Sequence, residues 1–331
     1  MSDDVASAPA PEGKYMVDTY ENWARAEGVP VHEGFALDLV TLTTKTWARM
    51  GVAGAMCHLT GRCDYLTLWL LDIPGSGKTE PQRHLFDAVF YVVSGHGSAT
   101  VEAADGVSHT LEFGPRSVFA VPMNARYRLS ASGSERARIA VASDFRYLLN
   151  LFRNEQFLFA NPVRFDRGGM DFKIANAPSS HTPSSEAGIT VLETSFVADA
   201  ANCELASSPD AGVDARSLQI LPPDGVLGIE VSELPGGASG TARKFLPGTM
   251  IFAMTGSGHT RYWTDGENVI ERVDWRPGMV FAPGLQVVHQ HFNTGSAPAR
   301  LLGVQYGSLR YPMARDKAVV FSSTMGASVK A

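Results

Sequence analysis

The stretch AVFYVVSGHGSATV, residues 88–101, returns at 249–262 as TMIFAMTGSGHTRY. Its two glycines, Gly95 and Gly97, fall on Gly256 and Gly258 at an offset of 161. A second block follows in the same order. LEFGPRSVFAVP (111–122) lies over VDWRPGMVFAPG (273–284), with Pro115 on Pro277 and Phe119-Ala120 on Phe281-Ala282 at an offset of 162. Two blocks in one order at nearly one offset mark an internal duplication. Both are short runs rich in β-branched and aromatic residues, punctuated by Gly and Pro, and so predict strands that reverse at tight turns. The runs CDYLTLWLLDI, RARIAVAS, GVLGIEVSEL and ARLLGVQYG continue the pattern. The expectation is an all-β chain made of two copies of one β-domain, each about 110 residues long.

Working outward, residues 14–27 predict a helix with Met16, Tyr20 and Ala24 on one stripe. Residues 144–153 predict another, with Tyr147, Leu148, Leu151 and Phe152 on one face. The Pro/Ser-rich APSSHTPSSEAG (177–188) reads as a surface loop. The organisation is then a disordered tail (1–13), a first barrel with its leading helix (14–150), a connecting segment (151–215), a second barrel (216–318) and a tail (319–331). The 331 residues carry a net charge of −6, so no basic face is expected and nucleic acid is excluded as a partner. No apolar run approaches the roughly 20 residues of a membrane span. The N-terminus lacks the basic and apolar regions of a signal peptide. The odd count of three cysteines, Cys57, Cys63 and Cys203, points to a reducing, cytoplasmic setting.

The segments QRHLFDAVFYVVSGHG (82–97) and VFAPGLQVVHQHFN (280–293) resemble the two motifs of the cupin superfamily. The first motif is a strand with His-x-His, then Glu, then a Gly-x-Gly turn; the second is Pro, a short turn, His and later Asn. The resemblance spans roughly 60–145 and 220–310 and implies tandem double-stranded β-helix (jelly-roll) barrels, a bicupin, with a few flanking helices. QRHLFDAVFYVVSG is most similar to gentisate 1,2-dioxygenase-like bicupins, whose first motif also lacks the Glu. That likeness implies iron(II) or another divalent metal, ring-cleaving oxygen chemistry on an aromatic or small organic acid, and association into homo-oligomers.

The four ligand places of the motif hold Gln82, His84, Ala88 and Tyr127 in the first copy. His84 is a ligand or else a satisfied interior histidine; Gln82 could offer a carbonyl oxygen and Tyr127 a phenolate. Arg126 and Arg128 flank Tyr127, where they would repel a metal and welcome a substrate carboxylate. In the second copy the places hold Arg243, Phe245, Thr249 and His289. The second motif is intact there. His289 and His291 share a strand face and are metal ligands, with His291 alternatively a general base, or the two form a hydrogen-bonded pair in a polar pocket. His259 is the nearby histidine for a third ligand. Arg243 replaces the first histidine; pointing inward it would anchor an acidic ligand, and pointing outward it would do nothing. Two readings stay open. One is a metal-dependent dioxygenase. The other is a cupin with reduced or no metal binding, which holds a small anionic organic molecule or does isomerase, lyase or cyclase chemistry with His291, Tyr127 and arginine as acid and base. DIPGSGKT (72–79) imitates a P-loop but has Asp72 where the first glycine belongs and leads into a strand. Asp87, with Glu80, Glu102, Asp105 and Glu112, reads as a solvated strand-end carboxylate.

Overall fold

The computed structural model describes residues 18–61, 65–102, 106–163, 184–186, 189–223, 225–244, 249–264, 271–284 and 287–307. The two tails, Met16, Cys63, Asp105, Phe245, residues 308–318 and most of the 177–188 loop lie outside them; Ser184–Glu186 of that loop is a strand edge paired with Ile189–Glu193.

Inward and outward side chains alternate along the strands, and the two faces belong to different cores. In Ala88–Ser94, Ala88, Phe90 and Val92 enter the first barrel's core with Trp69, Phe113, Phe119 and Leu129. Val89 and Tyr91, on the other face, enter a second cluster. Each barrel sets a broad sheet of eight or nine strands over a narrow one of three or four. The broad sheets pack back to back. Leu68, Leu70, Val89, Tyr91 and Ala140 of the first meet Leu218, Ile229, Met250, Phe252 and Leu302 of the second in one buried cluster. Tyr91 touches Phe252, its counterpart at offset 161, with ring centroids 5.2 Å apart. The molecule is a tandem of jelly-roll barrels related by a pseudo-twofold axis through this contact.

The barrels also exchange strands. Ala36–Asp38, from the N-terminal part of the chain, adds antiparallel to Met279–Phe281 of the second barrel. Phe196–Val197, from the connecting segment, adds antiparallel to Val118–Ala120 of the first. An arginine clamps the chain beyond each exchanged strand. Arg138 forks onto Asp72 at 2.7 and 2.5 Å and donates to the carbonyls of Leu39, Val40 and Leu42. Arg300 donates to Glu233 at 2.6 Å and to the carbonyls of Ala200 and Cys203. Arg138 and Arg300 lie at offset 162 and their carboxylates at 161, so the duplication extends to the clamps. Asp38 with Arg276 and Asp199 with Arg116 form a second matched set.

The Gly-x-Gly turns are backbone chemistry. Gly95 and Gly256 sit at φ +84° and +72°, where a side chain is strained. Gly97 and Gly258 pass so close to the neighbouring strand that a Cβ would fall 2.0 and 1.9 Å from a carbonyl oxygen.

The leading helix, α1, runs Thr19–Ala26, capped by Asp18, and buries Tyr20, Trp23 and Ala24. The second helix, α2 (Phe145–Phe152), is rotated from the expected face. Phe145 and Leu149 are buried while Tyr147, Leu151 and Phe152 are exposed. Phe145 is drawn in by rings on three sides, Trp23, Trp69 and Phe86. Asp87 is not a solvated carboxylate. It is buried at the junction of the barrels, where its Oδ2 accepts from Leu227 N at 2.8 Å and its N–H donates to Asp144 Oδ1. Burial, with the charge of Asp87, raises the Asp144 carboxyl well above its ordinary range. Among the described residues no helix is long and apolar enough to cross a membrane.

Burial raises the Asp72 carboxyl, but the hydrogen bonds from Arg138 and Thr44 and the charge of Arg138 outweigh it, and the group ends below its ordinary range. Arg138→Ala leaves that carboxylate buried without its fork and releases the 39–42 carbonyls. Urea unfolding should show a loss of about 3–5 kcal/mol. A loss under about 1 kcal/mol, as for a surface pair, contradicts the clamp.

Candidate functional site

The two barrel interiors have diverged, and the duplication shows how. Trp69, Leu71, Phe90, Ile139 and Val141 fill the first. At the corresponding offsets the second has Glu230, Ser232, Ile251, Leu301 and Gly303. Trp69 pairs across strands with Val141, and Glu230 pairs with Gly303, so the register confirms the equivalence. Trp69 and Val141 are fully buried, whereas Glu230 and Gly303, mid-strand on an inward face, are only half-buried. Replacing indole and isopropyl groups by a carboxylate and a hydrogen empties space and makes it polar.

In the first barrel the expected site residues are consumed by packing. The His84 ring stacks on Phe86 at 3.8 Å between centroids. Its Nδ1–H donates to the Phe86 carbonyl at 2.8 Å, and its Nε2 accepts from the Tyr127 hydroxyl at 3.1 Å. Both ring nitrogens are spent, and burial pushes the imidazole down to about 4. Burial also raises the Tyr127 phenol, so it stays protonated. The Gln82 amide nitrogen donates to the carbonyls of Arg49 and Glu80. His84, Gln82 and Tyr127 therefore do not form a ligand set, and Tyr127 is a core residue. Arg126 and Arg128 need the same correction. Along Arg126–Ala131 the inward residues are Tyr127, Leu129 and Ala131, which turns both arginines to the outside.

In the second barrel the narrow sheet brings Arg243, His289 and His291 onto one interior face. Arg243 is the cross-strand partner of His289, so the two side chains leave the same side. His289 and His291 follow the strand alternation, with ring centroids 5.3 Å apart. The His291 Nδ1 meets Thr260 Oγ1 at 2.7 Å, and Trp275 Nε1–H donates to the same oxygen at 3.1 Å. The indole can only donate, so this chain fits a neutral His291 with its proton on Nε2. Burial, then the charge of Arg243, lowers His291 to about 3. Burial, then His291, lowers His289 well below its ordinary range. At neutral pH both imidazoles are uncharged beside a guanidinium. His259 cannot join them. It lies on the opposite face of the sheet, stacked on Phe292 at 4.7 Å. Asn293, the last residue of the motif, staples a turn by donating to the carbonyls of Leu234, Pro235 and Ala297.

Two residues of this interior escaped the sequence reading, Gln219 and Glu230, and they share it with Thr249, which the motif alignment places. All face inward by strand alternation, opposite neighbours that enter the inter-barrel cluster. The signal was available as polar letters at alternate places in SLQILPP and LGIEVSEL. The Arg243 Nη2 and Thr249 Oγ1 atoms are buried and have no hydrogen-bond partner among the described residues. Buried polar atoms left unpaired are expensive and point to something that completes them.

The cupin resemblance implies a metal, and the residues present do not fit one. Among the described residues no group of three His, Cys, Asp or Glu side chains converges. The second barrel supplies two imidazoles, and the third place is held by a cation, which repels a metal ion.

No protein-family model matches the chain, and no curated protein matches it in sequence. Solved structures do match in fold. The oxalate decarboxylase of Lactobacillus farciminis, in its formate complex, superposes with a TM-score of 0.55 at 11% identity, covering 84% of this chain and 87% of that one. A point mutant of the Bacillus subtilis oxalate decarboxylase superposes at 0.54 with 12% identity, covering 89% and 85%. Mn(II) centres are described for the Bacillus subtilis enzyme. At these identities the likeness carries the bicupin fold alone.

The neutral His84 is the form the fold accepts. Between its ordinary value of 6.5 and about 4 the unfolded chain binds a proton that the folded chain does not, so stability falls as pH drops through that window. His84→Gln removes this titration. From about pH 4.5 to 6 the stability of wild type relative to the variant should rise by about 1.4 kcal/mol per unit. A flat difference would show that His84 is not buried as a neutral ring.

Proposed function

We propose that the second barrel holds a small organic acid in its interior, without a resident metal, and that Arg243 is the anchor for the acid's carboxylate. The observation that supports this most directly is the buried Arg243 Nη2, without a hydrogen-bond partner among the described residues, in the barrel where Glu230 and Gly303 stand in place of Trp69 and Val141. A guanidinium meets a carboxylate by two parallel N–H donations, which fixes orientation as well as charge. Thr249, Gln219 and Glu230 give the opposite wall hydroxyl, amide and carboxylate groups that suit an acid carrying a hydroxyl or keto oxygen.

The same geometry supports acid–base chemistry. Burial is the main reason His289 and His291 are held down, and a bound carboxylate offsets the Arg243 charge that adds to it, so both imidazoles rise when the site fills. Such a histidine can take a proton from carbon next to the carboxylate and return it elsewhere, as an isomerase or lyase requires. The bicupin fold is compatible with an enzyme. A gentisate-type dioxygenase would need an iron site, and the His289, His291 and Arg243 set favours the metal-independent reading.

Protein purified without chelator or nickel affinity should carry far less than one equivalent of Fe, Mn, Zn, Ni or Cu. One equivalent, lost in His289→Ala, would overturn the metal-free site. Lactate and malate should raise the melting temperature of wild type and leave Arg243→Gln unmoved. Equal shifts in both proteins would remove Arg243 from the site.

A further inference from the structure

The polar interior of the second barrel carries two opposite charges that do not pair. Arg243 stands on Arg243–Lys244 of the narrow sheet, and Glu230 on Leu227–Leu234 of the broad one. Both are particular to the second copy. At the offset of 161 the first barrel has Gln82 and Trp69, a neutral amide and an indole. A charge inside a barrel is costly unless a partner compensates it. The clamps show how this chain pairs charges for structure, since Arg138 forks onto Asp72 and Arg300 donates to Glu233. Arg243 and Glu230 do not follow that pattern. Among the described residues no carboxylate lies within 4.0 Å of the Arg243 guanidinium, and no basic side chain lies within 4.0 Å of Glu230.

The neighbours of each charge leave it open. Glu230 pairs across strands with Gln219 and Gly303, and the nearest inward residues along its own strand are Gly228 and Ser232. The diagonal places hold serine, leucine and glutamine. Arg243 lies on an edge strand, and the strand beside it offers the imidazoles of His289 and His291. There is room next to the carboxylate. A Cβ built on Gly303 would meet nothing nearer than 3.8 Å, and the residue is not at positive φ, so neither packing nor backbone demands glycine there. Glu230, Gly303 and His291 keep accessible surface although they face inward, whereas Trp69 and Val141 of the first barrel are 2% exposed.

We infer that the occupant of the second barrel is a zwitterion, a small amino acid whose carboxylate meets Arg243 and whose ammonium donates to Glu230 beside Gly303. The inference rests on the reading of this interior as an organic-acid site and narrows the class of acid. One molecule then answers both charges, each through charge-assisted hydrogen bonds. A hydroxy acid of the same size answers Arg243 and leaves Glu230 with a neutral donor.

Alanine and lactate differ only in ammonium against hydroxyl, which makes them the probes. Both enantiomers of each are titrated calorimetrically into the full chain as wild type, Glu230→Gln and Arg243→Gln. Alanine should bind wild type about tenfold more tightly than lactate, and Glu230→Gln should abolish that preference. Arg243→Gln should bind neither. Unliganded Glu230→Gln should melt no lower than wild type, because it loses an uncompensated carboxylate and keeps the shape of the side chain. A lower melting temperature would mean that the fold already partners Glu230, against the inference. Lactate binding at least as tightly as alanine, with both lost in Arg243→Gln, would overturn the zwitterion and leave the organic-acid site standing. A preference for alanine that survives in Glu230→Gln would overturn Glu230 as the partner of the ammonium. Binding that is unchanged in Arg243→Gln, or no binding of either ligand to wild type, would overturn the organic-acid site and this inference with it.

Discussion

Two guanidinium groups, Arg138 buried and Arg300 half-buried, hold the exchanged segments in place. Arg138 and Arg300 each satisfy a carboxylate on the neighbouring strand and two or three carbonyls on a segment that has crossed over from the other barrel. A crossing segment has no sheet partner for those carbonyls at that point, and a buried carbonyl without a donor is costly. The guanidinium supplies five donors in a fixed fork, so one side chain closes the whole account. Once the segment is held, its strand completes the edge of the opposite sheet. The broad sheets then meet back to back at the register that sets Tyr91 against Phe252.

This frame leaves each barrel interior free to change, because the cluster between the broad sheets and the clamps does not use the inward face. One copy has gone to dense packing. Its histidine and tyrosine, His84 and Tyr127, are bonded to each other, and aromatic rings occupy the remaining volume. The other copy has gone to polarity. Among the described residues its apolar cluster has seven buried members, and the inward positions beyond it carry Arg243, His289, His291, Thr249 and Glu230. The same backbone thus carries a packed apolar interior in one half and a polar interior in the other.

The fold was legible in the sequence because duplication and turn chemistry are local signals. The Gly-x-Gly pairs at 95–97 and 256–258 declare the hairpins, and strand alternation supplies the faces. The site was legible only in part. His289 and His291 share a face because their spacing is two, which any strand guarantees. Arg243 required its register against His289, a relation between residues 46 apart in the chain. The outward turn of Arg126 and Arg128 follows from parity with Tyr127, which was readable, but the cupin ligand places drew attention to the flanking charges instead. The burial of Asp87 was not readable, since its partner Leu227 N belongs to the other barrel. The same holds for the strand exchange, since no local pattern records that a three-residue segment will pair more than 240 residues away.

That exchange has a history written into it. A single barrel of this type lacks one edge strand of its own and offers one to a neighbour, and the two offers here are matched by the same offset as the rest of the repeat. Such an object is what two identical chains make when they trade arms about a twofold axis. Joining their genes would turn that intermolecular trade into the present intramolecular one without changing a contact. It would also release the two halves from having to be identical, which is the freedom that a packed apolar interior beside a polar one displays.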